Sequence, residues 1–204
     1  MTTRVAILIP AAGASSRMRG RDKLLEEVAG RPLLALVAAR ARAVAEAVIV
    51  TLPDPAGARG AALSGLDVTR VPVADASEGM AASLRAGVAA LPEGIQGLMI
   101  LPADMPEIEE EDLSSVVRAF ERDPHAIWRG AGANGTPGHP VLFPGDCLPR
   151  IAAVSGDRGA REVLRAEAAR VRALPLPGGH ALTDLDTPED WARWRAQRPA
   201  DATD

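Results

Sequence analysis

The chain alternates short β-branched runs with alanine- and leucine-rich stretches of helical period, and few architectures accept that rhythm. Val5 to Ile9 (VAILI) reads as a strand buried on both faces, Leu33 to Ala45 as a helix, and Ala47 to Leu52 as a second strand. The spacing then predicts a strand near Val68 to Val73, a helix from about Met80 to Ala90, a strand at Leu98 to Leu101 and a helix near Glu110 to Glu121. This is an α/β pattern, expected to give a three-layer α/β/α sandwich around a mostly parallel sheet. Beyond Ala126 the pattern loosens into AIW, a glycine-rich stretch from Gly130 to Gly138, a PVLF strand, and helices near Ala160 to Ala169 and Pro188 to Gln197. That half is expected to decorate the sheet. The 204 residues suit a single domain over about 1–198, and the short polar tail at 199–204 is expected to be disordered.

Composition removes several function classes. The formal charge is −4, and no basic run or arginine–aromatic interleaving suggests a nucleic-acid surface. The single cysteine, Cys147, excludes an intrachain disulfide or a cysteine-rich metal site. The N-terminal apolar run is too short for a signal peptide or membrane span, so a cytosolic (cytoplasmic) location is expected. There is no tyrosine, and Lys23 is the one lysine beside 22 arginines. Arginine serves at most solvated sites, so the surviving lysine is a candidate for a task that needs a compact ammonium.

In open parallel sheets, ligands collect beyond the carboxyl ends of strands, which directs attention to the loops after Ile9 and Leu101. The first loop runs from Pro10 through Ala11, Ala12, Gly13, Ala14, Ser15 and Ser16 to Arg17, Met18, Arg19, Gly20, Arg21, Asp22 and Lys23. Small residues let backbone amides approach a ligand, and Arg17, Arg21 and Lys23 supply charge for a triphosphate. A solvated basic turn is the bland alternative. Gly13 and Gly20 are too far apart for a Walker A loop, no Gly-Lys-Ser/Thr follows, and G-x-G-x-x-G is missing, which disfavours ordinary kinases and dehydrogenases. The second loop, Pro102-Ala103-Asp104-Met105-Pro106, holds one carboxylate at a strand end between prolines. Asp104 reads either as a Mg²⁺ ligand, since that ion needs only one or two carboxylates beside substrate phosphates, or as a turn residue.

The order Ala11-Ala12-Gly13-x-Ser15-x-Arg17-Met18 with Lys23 closing the loop resembles the signature of the MobA-like NTP transferases, which include molybdenum cofactor cytidylyl- and guanylyltransferases. Four further elements are similar to that family's: Gly79-Met80-x-x-Ser83 near base and ribose, the Asp104 turn, Gly135-x-Pro137-Gly138-His139-Pro140-Val141-Leu142-Phe143 bordering the acceptor pocket, and Gly156-Asp157-x-Gly159-Ala160-Arg161. A last match is Asp184-Leu185-Asp186-Thr187-Pro188-Glu189-Asp190, although Thr187 as N-cap and Pro188 at the first helical position would explain most of it as a helix start. One departure is Arg19, standing where relatives carry glycine; if φ is positive there, the side chain costs about 1 kcal/mol or more.

The resemblance implies a nucleotide-diphospho-sugar-transferase-like (GT-A, Rossmann-like) fold, with a nucleotide half at about 1–125 and an acceptor half at about 126–198. It implies a Mg²⁺-dependent transfer in which an acceptor phosphate oxygen attacks the α-phosphorus of an NTP and releases pyrophosphate. Arg17, Lys23 and Asp104 would be catalytic, Asp104 and Asp186 metal ligands, and Ala11, Ala12, Gly13, Ser15, Ser16, Gly79 and Ser83 would bind nucleotide. Gly138, His139, Pro140, Asp157 and Arg161 would border the acceptor. Ala-Ala-Gly, against the Ala-Gly-Gly of guanylyl relatives, favours CTP over GTP. The favoured acceptor is molybdopterin, with a molybdenum hydroxylase as a possible client. A sugar or polyol phosphate, or a non-catalytic cofactor carrier, are the alternatives, and an oxidoreductase lacks any dinucleotide fingerprint.

Overall fold

The computed structural model describes residues 3–75, 78–156 and 159–198. In chain order these form β1 (Val5–Pro10), a small hairpin of β2 (Glu27–Val28) and β3 (Arg31–Pro32), α1 (Leu33–Val44), β4 (Ala47–Leu52), α2 (Ala58–Ala62), β5 (Thr69–Pro72), α3 (Met80–Ala89), β6 (Gly97–Ile100) and α4 (Glu110–Arg122). There follow β7 (Ile127–Ala131), β8 (Pro137–Pro144), α5 (Leu148–Ala152), α6 (Arg161–Ala166), β9 (Val171–Pro175) and α7 (Pro188–Gln197).

A seven-stranded sheet in the order β5-β4-β1-β6-β8-β7-β9 runs through the molecule. Its neighbours pair in parallel except around β8, which is antiparallel to both β6 and β7. Alternation along β1 shows why the strand is apolar throughout. Val5, Ile7 and Ile9 pack into the core under α1, α4 and α7, while Ala6 and Leu8 pack on the opposite face with α3, α5 and α6. Gly87 lets α3 lie close against β1, because a Cβ there would fall 2.3 Å from a Leu8 methyl. Local sequence sets the helix starts: Glu109 and Asp112 form a capping box on α4, and Thr187 with Asp190 forms one on α7, with Pro188 at its first position.

The second half does not decorate the sheet; it supplies β7, β8 and β9, three of its seven strands. Strand β9 escapes sequence reading because its edge position leaves Arg172 and Ala173 in solvent, so no apolar run marks it. The helix expected over Ala160 to Ala169 is the shorter α6 followed by a 3₁₀ turn at Ala168–Arg170. Among the described residues no helix is long and apolar enough to cross a membrane. The tail at 199–204 and the acceptor candidate Asp157 lie outside the described residues.

Candidate active site

The loop after β1 is built around a single 3₁₀ turn, Ser16–Met18, flanked by two left-handed residues, Ser15 (φ 50°) and Arg19 (φ 54°). Met18 is fully buried and anchors the turn to the core. The glycine-favouring backbone anticipated at Arg19 is therefore present, and its side chain reaches outward to Glu189. Arg21 also turns from the loop, donating from Nε to Glu26 at 2.8 Å.

A guanidinium from another part of the chain holds the loop in shape. Arg59 of α2, 7% exposed, donates to Asp22 Oδ2 (2.7 Å), Asp22 Oδ1 (2.9 Å), Ser15 Oγ (3.0 Å) and the Ala11 carbonyl (2.5 Å). Asp22 Oδ1 also accepts the Leu24 amide at 3.0 Å. Burial alone would raise the Asp22 pKa, but Arg59, the Leu24 amide and Ser15 together hold it below the usual carboxylate value. Lys23, between Asp22 and Leu24, is thereby fixed in position.

Lys23 is where the loop meets the two acidic segments. Its Nζ donates to Asp104 Oδ2 at 2.5 Å and to Asp186 Oδ1 at 2.7 Å, and Arg17 Nη1 reaches Asp186 Oδ2 at 2.7 Å. Asp104 follows β6, and its carbonyl accepts the Leu185 amide at 3.1 Å, which ties the two acidic loops together. Burial would lower the Lys23 pKa, yet the two carboxylates outweigh it and leave it raised, so the ammonium stays charged. Asp184 is pushed the other way, its pKa raised by burial and then by Asp104 and Asp186. Asp104 and Asp186 thus share Lys23, Asp186 also takes Arg17, and Asp184 adds a third carboxylate nearby. Among the described residues no cluster of three or more metal-ligating side chains converges. A cation here would take Asp104 and Asp186 and complete its shell from phosphate and water, the coordination Mg²⁺ favours.

One cavity opens on this cluster, and a second lies beside it. The first, about 180 Å³, is lined by Pro10, Ala11, Ala12, Gly13, Lys23, Leu24, Gly79, Met80, Ser83, Pro102, Ala103 and Asp104. Gly79 (φ 81°) needs its glycine to begin α3 there, and Ser83 is buried behind it. Ser15, Ser16, Arg17 and Lys23 border an adjoining hollow with Gly13, Ala14 and Asp186. All the nucleotide-side candidates therefore converge.

The second cavity, about 220 Å³, shares Pro10, Met80 and Pro102 with the first and contains His139 and Arg161 of the acceptor set. Gly138 and Pro140 are not among its lining residues: Pro140 is buried, and Gly138 packs so tightly that a Cβ would sit 2.0 Å from the Ala181 carbonyl. His139 Nδ1 is buried with no partner among the described residues. Burial, with help from Arg129 and Arg161, drops the His139 pKa to about 4, so the ring is neutral at pH 7. The lining also includes Arg129, which sequence reading missed, although an arginine inside the apolar strand IWRGA was a visible anomaly. Arg59 left no such signal, because α2 is one turn in a proline- and glycine-rich connection.

Comparison with known proteins places this geometry in context. A family model described as the MobA-like NTP transferase domain matches residues 7–171. The molybdenum cofactor guanylyltransferase of Pseudomonas paraeruginosa (strain DSM 24068 / PA7) is 33% identical over 90% of this chain and 91% of its own length. The purine catabolism protein PucB of Bacillus subtilis is 34% identical, over 57% of this chain and 56% of PucB. Among solved structures, Rv0371c of Mycobacterium tuberculosis superposes with a TM-score of 0.80 at 27% identity, covering 95% of this chain and 98% of that one. The same mycobacterial protein has also been crystallised in complex with manganese.

Proposed function

The chain belongs to the MobA-like NTP transferase family, and from that premise we propose that it transfers CMP from CTP to the phosphate of the molybdenum-pterin cofactor, using Mg²⁺ and releasing pyrophosphate. The observation that carries the reading is the convergence of Lys23, Arg17, Asp104 and Asp186 beside the small-residue loop at the mouth of the first cavity.

In the reaction, an oxygen of the acceptor phosphate attacks the α-phosphorus, a new P–O bond forms, and the bond to the β-phosphate bridge breaks with its electrons leaving on pyrophosphate. Positioning and charge neutralisation carry most of such a transfer. Backbone amides of the loop from Ala12 to Ser16 hold the triphosphate, and Lys23 and Arg17 offset the negative charge that grows on the leaving pyrophosphate. Asp104 and Asp186 would hold Mg²⁺, which supplies further positive charge to the phosphates when bound. The acceptor phosphate is already ionised near pH 7 and requires no base. His139, with its pKa near 4, is suited to accepting or donating a hydrogen bond rather than to carrying a proton.

The preference for CTP rests on Ala12. Its methyl lines the first cavity and is backed by Val73 and Ala82, so it takes space that a purine would need. GTP is the second reading, favoured by the full-length similarity to a guanylyltransferase. Purified protein incubated with Mg²⁺, molybdenum-loaded pterin and each of the four NTPs, with pyrophosphate and dinucleotide product measured, separates the possibilities. Pterin-dependent release with CTP supports the proposal, and release with GTP alone moves the base assignment. Binding of an NTP with no pyrophosphate would transfer the role to a cofactor carrier, unless a sugar or polyol phosphate restores turnover.

A further inference from the structure

The second cavity holds two guanidiniums, Arg129 and Arg161, that no described carboxylate neutralises. Other arginines of this protein meet a carboxylate directly, as Arg17, Arg59 and Arg85 do. Arg129 and Arg161 have no carboxylate partner among the described residues; Arg129 spends only its Nε, on the Gly138 carbonyl at 2.9 Å. Arg161 stands near enough to disfavour the charge on Arg129, whose pKa is lowered by burial and then by Arg161. Arg129 is half-buried, so holding its charge beside Arg161 is costly unless an anion arrives.

The sheet register explains how Arg129 comes to face the cavity. Ile100 of β6 pairs with Val141 of β8, which pairs in turn with Arg129 of β7, and all three line the cavity. His139 and Phe143, two positions either side of Val141, lie on the same face of β8. Apart from Arg129, His139 and Arg161, the side chains at the wall are apolar, including Met80, Leu84 and Leu164. A polyhydroxylated ligand would leave several hydroxyls unpaired against that surface, whereas the face of a planar ring would not. Pro10, Met80 and Pro102 are shared with the first cavity, which contains Asp104, so this cavity lies next to the acidic cluster.

We propose that Arg129 and Arg161 form a guanidinium pair that binds an anionic group of the acceptor, and that the acceptor's body is a planar ring system rather than a polyol. This rests on reading the second cavity as the acceptor side of a nucleotidyltransferase. Arg129 is then a specificity residue of the site, and the ring lies over Val141 and Phe143.

Calorimetric titration of the whole protein with two probes tests it: 1-naphthyl phosphate, a planar phosphomonoester, and glycerol 3-phosphate, a polyol one. The expected result is a preference of about tenfold or more for the naphthyl compound, and a loss of about tenfold in its affinity in both Arg129→Gln and Arg161→Gln, the scale of one charge-assisted hydrogen bond. CTP and GTP affinities should be unchanged in both variants. Arg161 is solvent-exposed, so its replacement leaves the fold intact even if Arg129→Gln weakens β7. Equal affinity for the two probes overturns the ring assignment. Naphthyl phosphate binding that survives both substitutions but disappears in Lys23→Ala overturns the guanidinium pair. If the probe behaves as expected while no NTP releases pyrophosphate with any acceptor, the anion site stands and the transferase reading is what fails.

Discussion

Replacing Arg59 by methionine keeps the apolar stem of the side chain and deletes its charge and donors. Four hydrogen bonds vanish, two of them to Asp22, whose own side chain is 28% exposed, and the Ala11 carbonyl loses its guanidinium donor. Removing one partner of a buried ion pair costs about 3–5 kcal/mol, because the other charge is left desolvated. Partial exposure of Asp22 places the expected loss at the lower end, about 3 kcal/mol. Since Asp22 directly precedes Lys23, the nucleotide KM should rise even at temperatures where the variant is folded. Urea unfolding at pH 7 of Arg59→Met, Asp22→Asn and the double variant provides the measurement. The double variant should recover much of the loss, with a coupling energy of about 2 kcal/mol, as neighbours in one network do. A single variant within about 1 kcal/mol of wild type, or strictly additive effects, would refute the claim that this pair fixes the loop.

Three further outcomes are expected. Lys23→Ala and Asp104→Ala should each lose most turnover while retaining a cooperative unfolding transition, and normal pyrophosphate release in either would remove its assigned role. Arg19→Gly should raise stability by up to about 1 kcal/mol, because a left-handed side-chain residue costs roughly 1–2 kcal/mol and the Glu189 pair it loses is exposed; a urea midpoint lowered by the change would contradict this. His139 has a folded pKa of about 4 against 6.5 unfolded, so the unfolded chain binds its proton first. Its contribution is complete above pH 6.5 and is lost as pH falls towards 4, by roughly 3 kcal/mol at most, and His139→Gln should flatten the stability profile in that window.

Much of this molecule is written locally. Strands buried on both faces must be apolar throughout, so β1 and β4 declare themselves, and Ala47–Leu52 and Pro188–Gln197 coincide with their sequence-read bounds. Capping is equally local, which makes the Thr187-Pro188-x-Asp190 start of α7 readable in four residues. The order of strand, small-residue loop and acidic turn likewise directs attention to Lys23 and Asp104, because ligands gather where parallel strands end. Tertiary structure alone decides what those loops meet. Nothing near Arg59 announces a partner 37 residues earlier, and nothing near Asp186 reveals that it shares Lys23 with Asp104. Arg129 faces the second cavity because β8 enters antiparallel between β6 and β7 and brings it into register with Val141 and Ile100. Periodicity records which side of its own element a residue occupies. Which distant residue lies across from it follows from strand order and register, which are fixed only when the whole sheet closes its core.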